Sequence, residues 1–336
     1  MPIDLRSDTV TRPTPEMLAA MASAEVGDDV FGDDPTVIRL EKLAASLLDK
    51  EAGIFVPSGT QSNLCALLTH CQRGDEYLVG QSAHVYLFEG GGGAVFGGIQ
   101  PQPIDQEEDG TLDLEKLASL VKPDNFHYAR TRLLCLENTT WGKVLPMEYL
   151  AKARQFADEH GLALHLDGAR ILNAAIALGK PAADIAKPFD SVSLCLSKGL
   201  GAPVGSVLVG SADFIKQAKR WRKMLGGGMR QSGLLAAAGI HALENHVERL
   251  AEDHQNASLL AEGLAALEHI QVDPVQTNMV FATIDDAKLP ALLDHLKRQK
   301  ILAAGYTGEK VRLVTHLGIT AVDIETALAA FAEGLA

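Results

Sequence analysis

Cysteine is scarce in this chain, with four thiols in 336 residues. Cys65, Cys71, Cys135 and Cys195 form no CxxC pair, and three of them sit in apolar runs. The pattern argues against a disulfide scaffold and for buried free thiols in a reducing cytoplasm. Basic charge is also short: 30 Lys and Arg stand against 43 Asp and Glu, a formal net charge of −13. Nucleic-acid binders usually carry a basic patch or stripe, so that class is not expected. No polybasic segment is present for an anionic membrane surface, and no uncharged apolar run approaches the roughly 20 residues that span a bilayer. The opening "MPIDLRSDTVTRPTPEM" mixes charges and prolines and has no apolar h-region, so a secretory signal is not expected. Both glycine fingerprints for nucleotide phosphates, GxGxxG and GxxxxGK[ST], are missing. That weakens any reading as a nicotinamide oxidoreductase.

What is abundant is apolar surface. Hydrophobic residues make up 47 % and charged residues 22 %, which suits a folded chain of about two domains. From about residue 50 to 210, short apolar runs alternate with helical patterns. "AGIFVPSG", "DEYLVG", "IQPQPI", "TRLLCLENT", "LALHLDGAR", "DSVSLCLSK" and "GSVLVG" read as seven strands. Leu64, Leu67, Leu68 and Cys71 fall at helical spacing after the first. "MEYLAKARQFADEH" is amphipathic and stops at Gly161, a C′-type glycine. Near-continuous apolar strands separated by helices predict an α/β fold with a mostly parallel seven-stranded sheet covered on both faces. A long helical stretch is expected over 234–267. Beyond about 245 come strands "IQVDP", "NMVFATI" and "KVRLVTH", a helix at "LPALLDHLKRQK", and a last helix opened by Thr320 and Asp323 at capping-box spacing. The expected division is 1–244 and 245–336, the second a smaller α+β domain.

Two strand ends carry the chemistry. In an open parallel sheet, ligands bind beyond the carboxyl ends of the strands. Asp167 and Lys198 lie at or just past two such ends, so both reach the same edge. Spacing alone leaves two readings open: a structural ion pair, or a pyridoxal phosphate site with lysine as Schiff base and aspartate on the ring nitrogen. "VPSGTQSN" puts Ser58, Gly59 and Thr60 between a strand and a helix, where backbone amides can approach a phosphate. Arg312, among two valines and a leucine in an acidic chain, calls for an anion, and a carboxylate suits its fork. "GDDVFGDDP" lacks the spacing and terminal glutamate of a calcium loop, so its four aspartates read as structural or solvated rather than as a cation site, and no metal ligand is assigned. "EGGGGA" reads as a close-approach turn.

The segments "DLRSDTVTRPTPEM", "VGDDVFGDDPTV", "FVPSGTQSN", "AHVYLFEGGG", "LHLDGAR", "SKGLGAPVGS", "LGGGMRQ" and "RLVTH", spread over residues 4–316, resemble those of the low-specificity L-threonine aldolases, pyridoxal phosphate enzymes of fold type I. No catalytic position departs from the pattern. The resemblance implies a fold type I architecture and cleavage of L-threonine and L-allo-threonine to glycine and acetaldehyde. It implies that Lys198 carries the cofactor, Asp167 pairs with its ring nitrogen, and Gly59 and Thr60 bind its phosphate. His84 would stack on the ring. Arg170 and Arg312, with Ser7, would hold the substrate carboxylate, Arg170 lying against the cofactor as well. His127 would lie near the substrate hydroxyl, so His84, His127 or a bound water is the expected base. Arg230 would reach the phosphate of a neighbouring subunit's cofactor, which implies a homodimer or a dimer of dimers. β-Elimination or transamination at the same cofactor is the rival activity.

Overall fold

The computed structural model describes residues 2–285, 287–305 and 310–335. The seven expected strands form one sheet. They are Ala52–Val56, Asp75–Gly80, Gln100–Ile104, Arg130–Glu137, Ala163–Asp167, Ser191–Cys195 and Ser206–Gly210. Numbered one to seven along the chain, their order across the sheet is 1-7-6-5-4-2-3. Only Ser206–Gly210 runs antiparallel to its neighbours. Ala52–Val56 therefore points the same way as Ser191–Cys195, and the carboxyl ends of six strands share one edge.

Burial explains the sheet. Ser191–Cys195 and Ser206–Gly210 are buried at every position, as expected for strands covered on both faces. Helices Gly59–His70 and Ala212–Met224 close around the first strand. Met147–His160 ends on Gly161 at φ 64°, the left-handed conformation that a residue without Cβ adopts without penalty.

The C-terminal part holds a four-stranded antiparallel sheet of Ala304–Gly305, Lys310–Val314, Met279–Ile284 and Ile270–Val272. Helix Leu289–Arg298 packs there, and the last helix, Ala321–Leu335, opens with a reciprocal cap. Thr320 N donates to Asp323 Oδ2 at 2.9 Å, and Asp323 N donates to Thr320 Oγ1 at 3.2 Å. The N-terminal Ile3–Asp4 crosses over to pair in parallel with Ile301–Leu302. Apolar residues fall into separate clusters, one under the large sheet and one joining Leu5, Leu260, Leu292, Leu313 and Phe331. We propose a domain division near residue 245 on the strength of those two clusters.

One expectation needs correction. The stretch 234–267 is not one helix but two, Gly233–Asn245 and Leu250–Ala265. The break is tertiary in origin. His246 Nδ1 meets Leu200 O at 2.7 Å, and the Arg249 guanidinium reaches Gly199 O while pairing with Asp253. Both contacts grip the turn that follows Lys198.

Candidate active site

Five strands deliver the site. Ala52–Val56 leads to Ser58, whose Oγ accepts from Gln61 N at 3.1 Å and caps helix Gly59–His70. The amides of Gly59 and Thr60 begin this helix, where N–H groups have no intrahelical acceptor. A Cβ on Gly59 would stand 2.8 Å from the buried Cys195 Sγ, so nothing larger than glycine fits without movement. Gly59→Ala is expected to cost about 1–3 kcal/mol by overpacking. Adding Cys195→Ala should recover part of that loss in urea denaturation, whereas strictly additive losses would mean the two positions do not meet.

Ala163–Asp167 ends on Asp167, which is 3 % exposed. Its Oδ2 accepts from Asn63 Nδ2 at 2.8 Å and its Oδ1 from Ala169 N at 3.1 Å. Lys198 lies three residues past Ser191–Cys195, its carbonyl held by Thr11 Oγ1 at 2.9 Å and by Gly201 N. A small void of about 10 Å³ is lined by Lys198, Cys195 and Arg170. The lysine charge is felt at Asp8, His84 and Glu137.

Asp75–Gly80 leads to helix His84–Leu87. His84 Nδ1 lies 2.9 Å from Glu89 Oε1. That hydrogen bond raises the His84 pKa, outweighing partial burial. Burial raises the Glu89 carboxyl in turn, while His84 and Asn63 oppose the rise. Arg130–Glu137 ends on Glu137, which pairs in register with Asp167 and whose Oε2 accepts from His84 N at 2.7 Å. Burial, and then the Asp167 charge, push Glu137 up to about 7.

A cavity of about 350 Å³ opens over these ends, walled by His84, Glu137, Thr139, Trp141, Arg170 and Arg312. Arg170 is anchored by Asp8, which is fully buried: Nε to Oδ2 is 2.8 Å and Nη2 to Oδ1 is 2.6 Å. Burial alone would raise the Asp8 pKa, but the Arg170 charge and hydrogen bonds prevail and bring it to about 2. Arg312 donates from Nη2 to Arg6 O at 3.2 Å. Ser7, the neighbour of Arg6 and Asp8, accepts from Thr9 N at 3.2 Å. A larger groove of about 700 Å³ runs along the edge strand past Glu41, Lys42 and Lys219, and holds none of these groups.

The chain therefore gathers Lys198, Asp167, Gly59, Thr60, His84, Arg170 and Arg312 around one sheet edge, with Ser7 next in sequence to the Asp8 that holds Arg170. It does not bring His127 there. That side chain sits on an exposed loop, with Nδ1 2.8 Å from Asn125 Oδ1 and its ring against Phe126. Arg230 is also outside, exposed and paired with Asp28 at 3.1 Å. The four loop aspartates have structural partners. Asp28 holds Arg230, Asp29 pairs with buried Arg222, Asp33 accepts from Asp28 N, and Asp34 caps helix Pro35–Leu47. All four cysteines are buried and free.

Six residues here are given no role by the sequence alone: Asp8, Asn63, Glu89, Glu137, Thr139 and Trp141. The strand-end rule that singled out Asp167 applies equally to Glu137 at the end of "TRLLCLE". The other five carry no local signal.

The beta-eliminating lyase family profile matches residues 4–287. Low specificity L-threonine aldolase of Escherichia coli (strain K12) is 58 % identical over 320 residues, 95 % of each chain. Low-specificity L-threonine aldolase 1 of Arabidopsis thaliana is 47 % identical over 344 residues, covering 99 % of this chain and 96 % of that one. The solved structure of Leishmania major threonine aldolase superposes with a TM-score of 0.85 at 23 % identity over 100 % of both chains, a likeness of fold.

Proposed function

The chain belongs to the beta-eliminating lyase family, and from that premise we propose that it cleaves L-threonine and L-allo-threonine to glycine and acetaldehyde, with pyridoxal phosphate as cofactor. One observation carries the reading. An amine (Lys198), a buried carboxylate (Asp167) and two guanidinium groups (Arg170 and Arg312) converge beside one helix N-terminus. The first two suit the cofactor, the guanidinium pair suits an amino-acid carboxylate, and the helix end suits a phosphate.

The donor set fits the cofactor. Asp167 lies beside Glu89 and Glu137, and after burial its negative charge is the second cause of the rise at Glu137. A protonated ring nitrogen at Asp167 would offset it. Thr139 Oγ1, buried in the cavity wall without a hydrogen-bond partner, leaves a hydroxyl for a ligand.

When bound, pyridoxal phosphate supplies the electron sink that makes Cα–Cβ cleavage accessible. The protein's own part is positioning and proton transfer. Arg312, Arg170 and Ser7 fix the substrate carboxylate and thereby select which bond at Cα breaks. His84, oriented by Glu89, takes the β-hydroxyl proton at Nε2. Its Nδ1–H is spent on Glu89, so the free nitrogen faces the substrate. A bound water is the second candidate for that base; His127, on an exposed loop outside the cavity, is not positioned for it within this chain.

The Glu89 bond raises the His84 pKa, so removing it lowers that pKa and leaves the base neutral to more acidic pH. Glu89→Gln is expected to shift the acid limb of the kcat/KM profile downward. An unmoved limb would take the base role away from His84.

We propose further that the protein is cytoplasmic and assembles as a dimer of dimers, with Arg230 contributing to a neighbouring site. Among the described residues, the adjacent Val95 and Phe96 of helix Gly92–Gly97 expose 73 and 60 % of their surface, apolar area that a neighbouring copy would cover. No described helix is long and apolar enough to cross a membrane.

The test is product analysis with L-threonine, L-allo-threonine and L-serine. Equal amounts of glycine and acetaldehyde from the first two support the reading. Ammonia with a keto acid would indicate β-elimination or transamination instead.

A further inference from the structure

Behind Asp167 runs a line of buried polar groups that the proposed reaction does not use. Asn63 Nδ2 lies 2.8 Å from Asp167 Oδ2 and 2.9 Å from Glu89 Oε1. Asn63 Oδ1 lies 3.2 Å from His165 Nε2. His165 Nδ1 lies 2.8 Å from Ser191 Oγ, and Ser191 Oγ lies 2.7 Å from His70 Nε2. Asn63, His165 and Ser191 are 1 % exposed or less.

The layout follows from secondary structure. Asn63 and His70 are seven residues apart on helix Gly59–His70, two turns along the same face. His165 and Ser191 are register partners on adjacent parallel strands. One helix face thus meets one strand pair at both ends of the line. Ser62 adds a third tie, its Oγ 2.6 Å from Ser193 Oγ.

Chemistry assigns every proton in the line. Two carboxylates can only accept, so the Asn63 nitrogen faces them and its oxygen faces His165. An amide oxygen can only accept, so His165 Nε2 carries a hydrogen. A neutral, buried His165 then accepts at Nδ1, and Ser191 Oγ–H donates to it. With its one proton spent, Ser191 accepts from His70 Nε2–H. All the donors point toward Asp167. Burial lowers both imidazoles, His70 to about 4 and His165 to about 3, which agrees with neutral rings.

We infer that Asn63, held in one orientation by His165, Ser191 and His70, is a positioning residue that keeps the Asp167 and Glu89 carboxylates charged, apart and aimed into the site. This rests on the cofactor reading above. His84, Glu89 and Asp167 have polar atoms within 4.8 Å of one another. Two carboxylates that close would share a proton unless a donor stood between them, and the Asn63 amide, which reaches both, is that donor. The same ties lock the helix whose N-terminus awaits the phosphate to the strand whose end awaits the ring nitrogen. They fix the separation of the two cofactor anchors before anything binds.

The test has two parts. Nitrogen-15 histidine spectra of the full-length protein at neutral pH should show His70 and His165 neutral and protonated on Nε2. A hydrogen on Nδ1 of either ring, or a doubly protonated His165, overturns the inference. This part needs no variant and no turnover, so failure to cleave threonine would sink the proposed function while leaving the hydrogen-bond line standing. The second part compares His165→Leu with His165→Gln. Leucine lets the Asn63 amide turn, and kcat is expected to fall about tenfold, equivalent to ~1.4 kcal/mol, with KM for threonine little changed. Glutamine keeps an N–H toward Asn63 and should recover most of the loss. Equal impairment of the two variants, or a fall carried by KM, overturns the inference.

Discussion

Replacing Lys198 with alanine is expected to abolish threonine cleavage while leaving the fold intact. The backbone around residue 198 does not depend on the amine. Its carbonyl is held by Thr11 Oγ1 and Gly201 N, and the turn beyond it by His246 and Arg249. The loss of stability should therefore be modest, about 1 kcal/mol, from the lost counter-charge to Asp8 and Glu137 and the enlarged void, rather than a loss of fold. The electrostatic effect has a definite sign. Lys198 lowers the carboxyl pKa values of Asp8 and Glu137, so its loss should move Glu137 further up. Borohydride reduction of the parent, followed by peptide mass mapping, should find the cofactor mass on Lys198, and the variant should yield none. Turnover at the parent rate, or the mass on another lysine, would defeat the assignment.

Asp8→Ala is expected to be the most destabilising single change at the site. Asp8 and Arg170 form a buried, bidentate ion pair. Removing the acid leaves a guanidinium charge buried without its counterion, which typically costs about 3–5 kcal/mol. Substrate binding should weaken too, because Arg170 would lose the partner that holds its fork at the cavity wall. The pair also predicts acid sensitivity. The Asp8 pKa is depressed in the fold, to about 2 from 3.8. Its contribution is complete above the unfolded pKa and disappears as pH falls from about 4 toward 2. One pKa unit corresponds to about 1.4 kcal/mol, so the linked contribution is about 2 kcal/mol. Urea midpoints of parent and variant should differ widely at pH 7 and converge as pH approaches 2. A gap that stays constant across that range would mean that Asp8 does not titrate as part of the pair.

Much of the architecture could be read without coordinates because its signals are local. Most of the seven strands are near-continuous apolar runs bounded by turn residues, and burial on both faces is what such runs require; Gln100–Ile104, at the sheet edge, is the partly exposed exception. Gly161 and the Thr320–Asp323 cap mark helix ends through interactions spanning a few residues. Asp167 and Lys198 could be singled out because the strand-end rule needs only the direction and parallel order of the strands. The long helical stretch expected over 234–267 is helical apart from residues 246–249, and that break was not legible for the opposite reason. Its pattern continues through residues 246–249, but contacts with residues 199 and 200 draw those residues out of helical register.

By itself, then, the sequence determined the strands, their common edge, and the amine and carboxylate that lie there. Only the tertiary structure decided what those groups lean on. Asp8 meets Arg170 from 162 residues away, and Asn63 meets Asp167 from 104. The Arg170 charge that depresses Asp8 against its burial, and the burial that raises Glu137, likewise exist only once the whole chain has packed. Backbone propensity and apolar periodicity act over a turn or a strand, whereas desolvation and charge pairing depend on neighbours that no local pattern specifies.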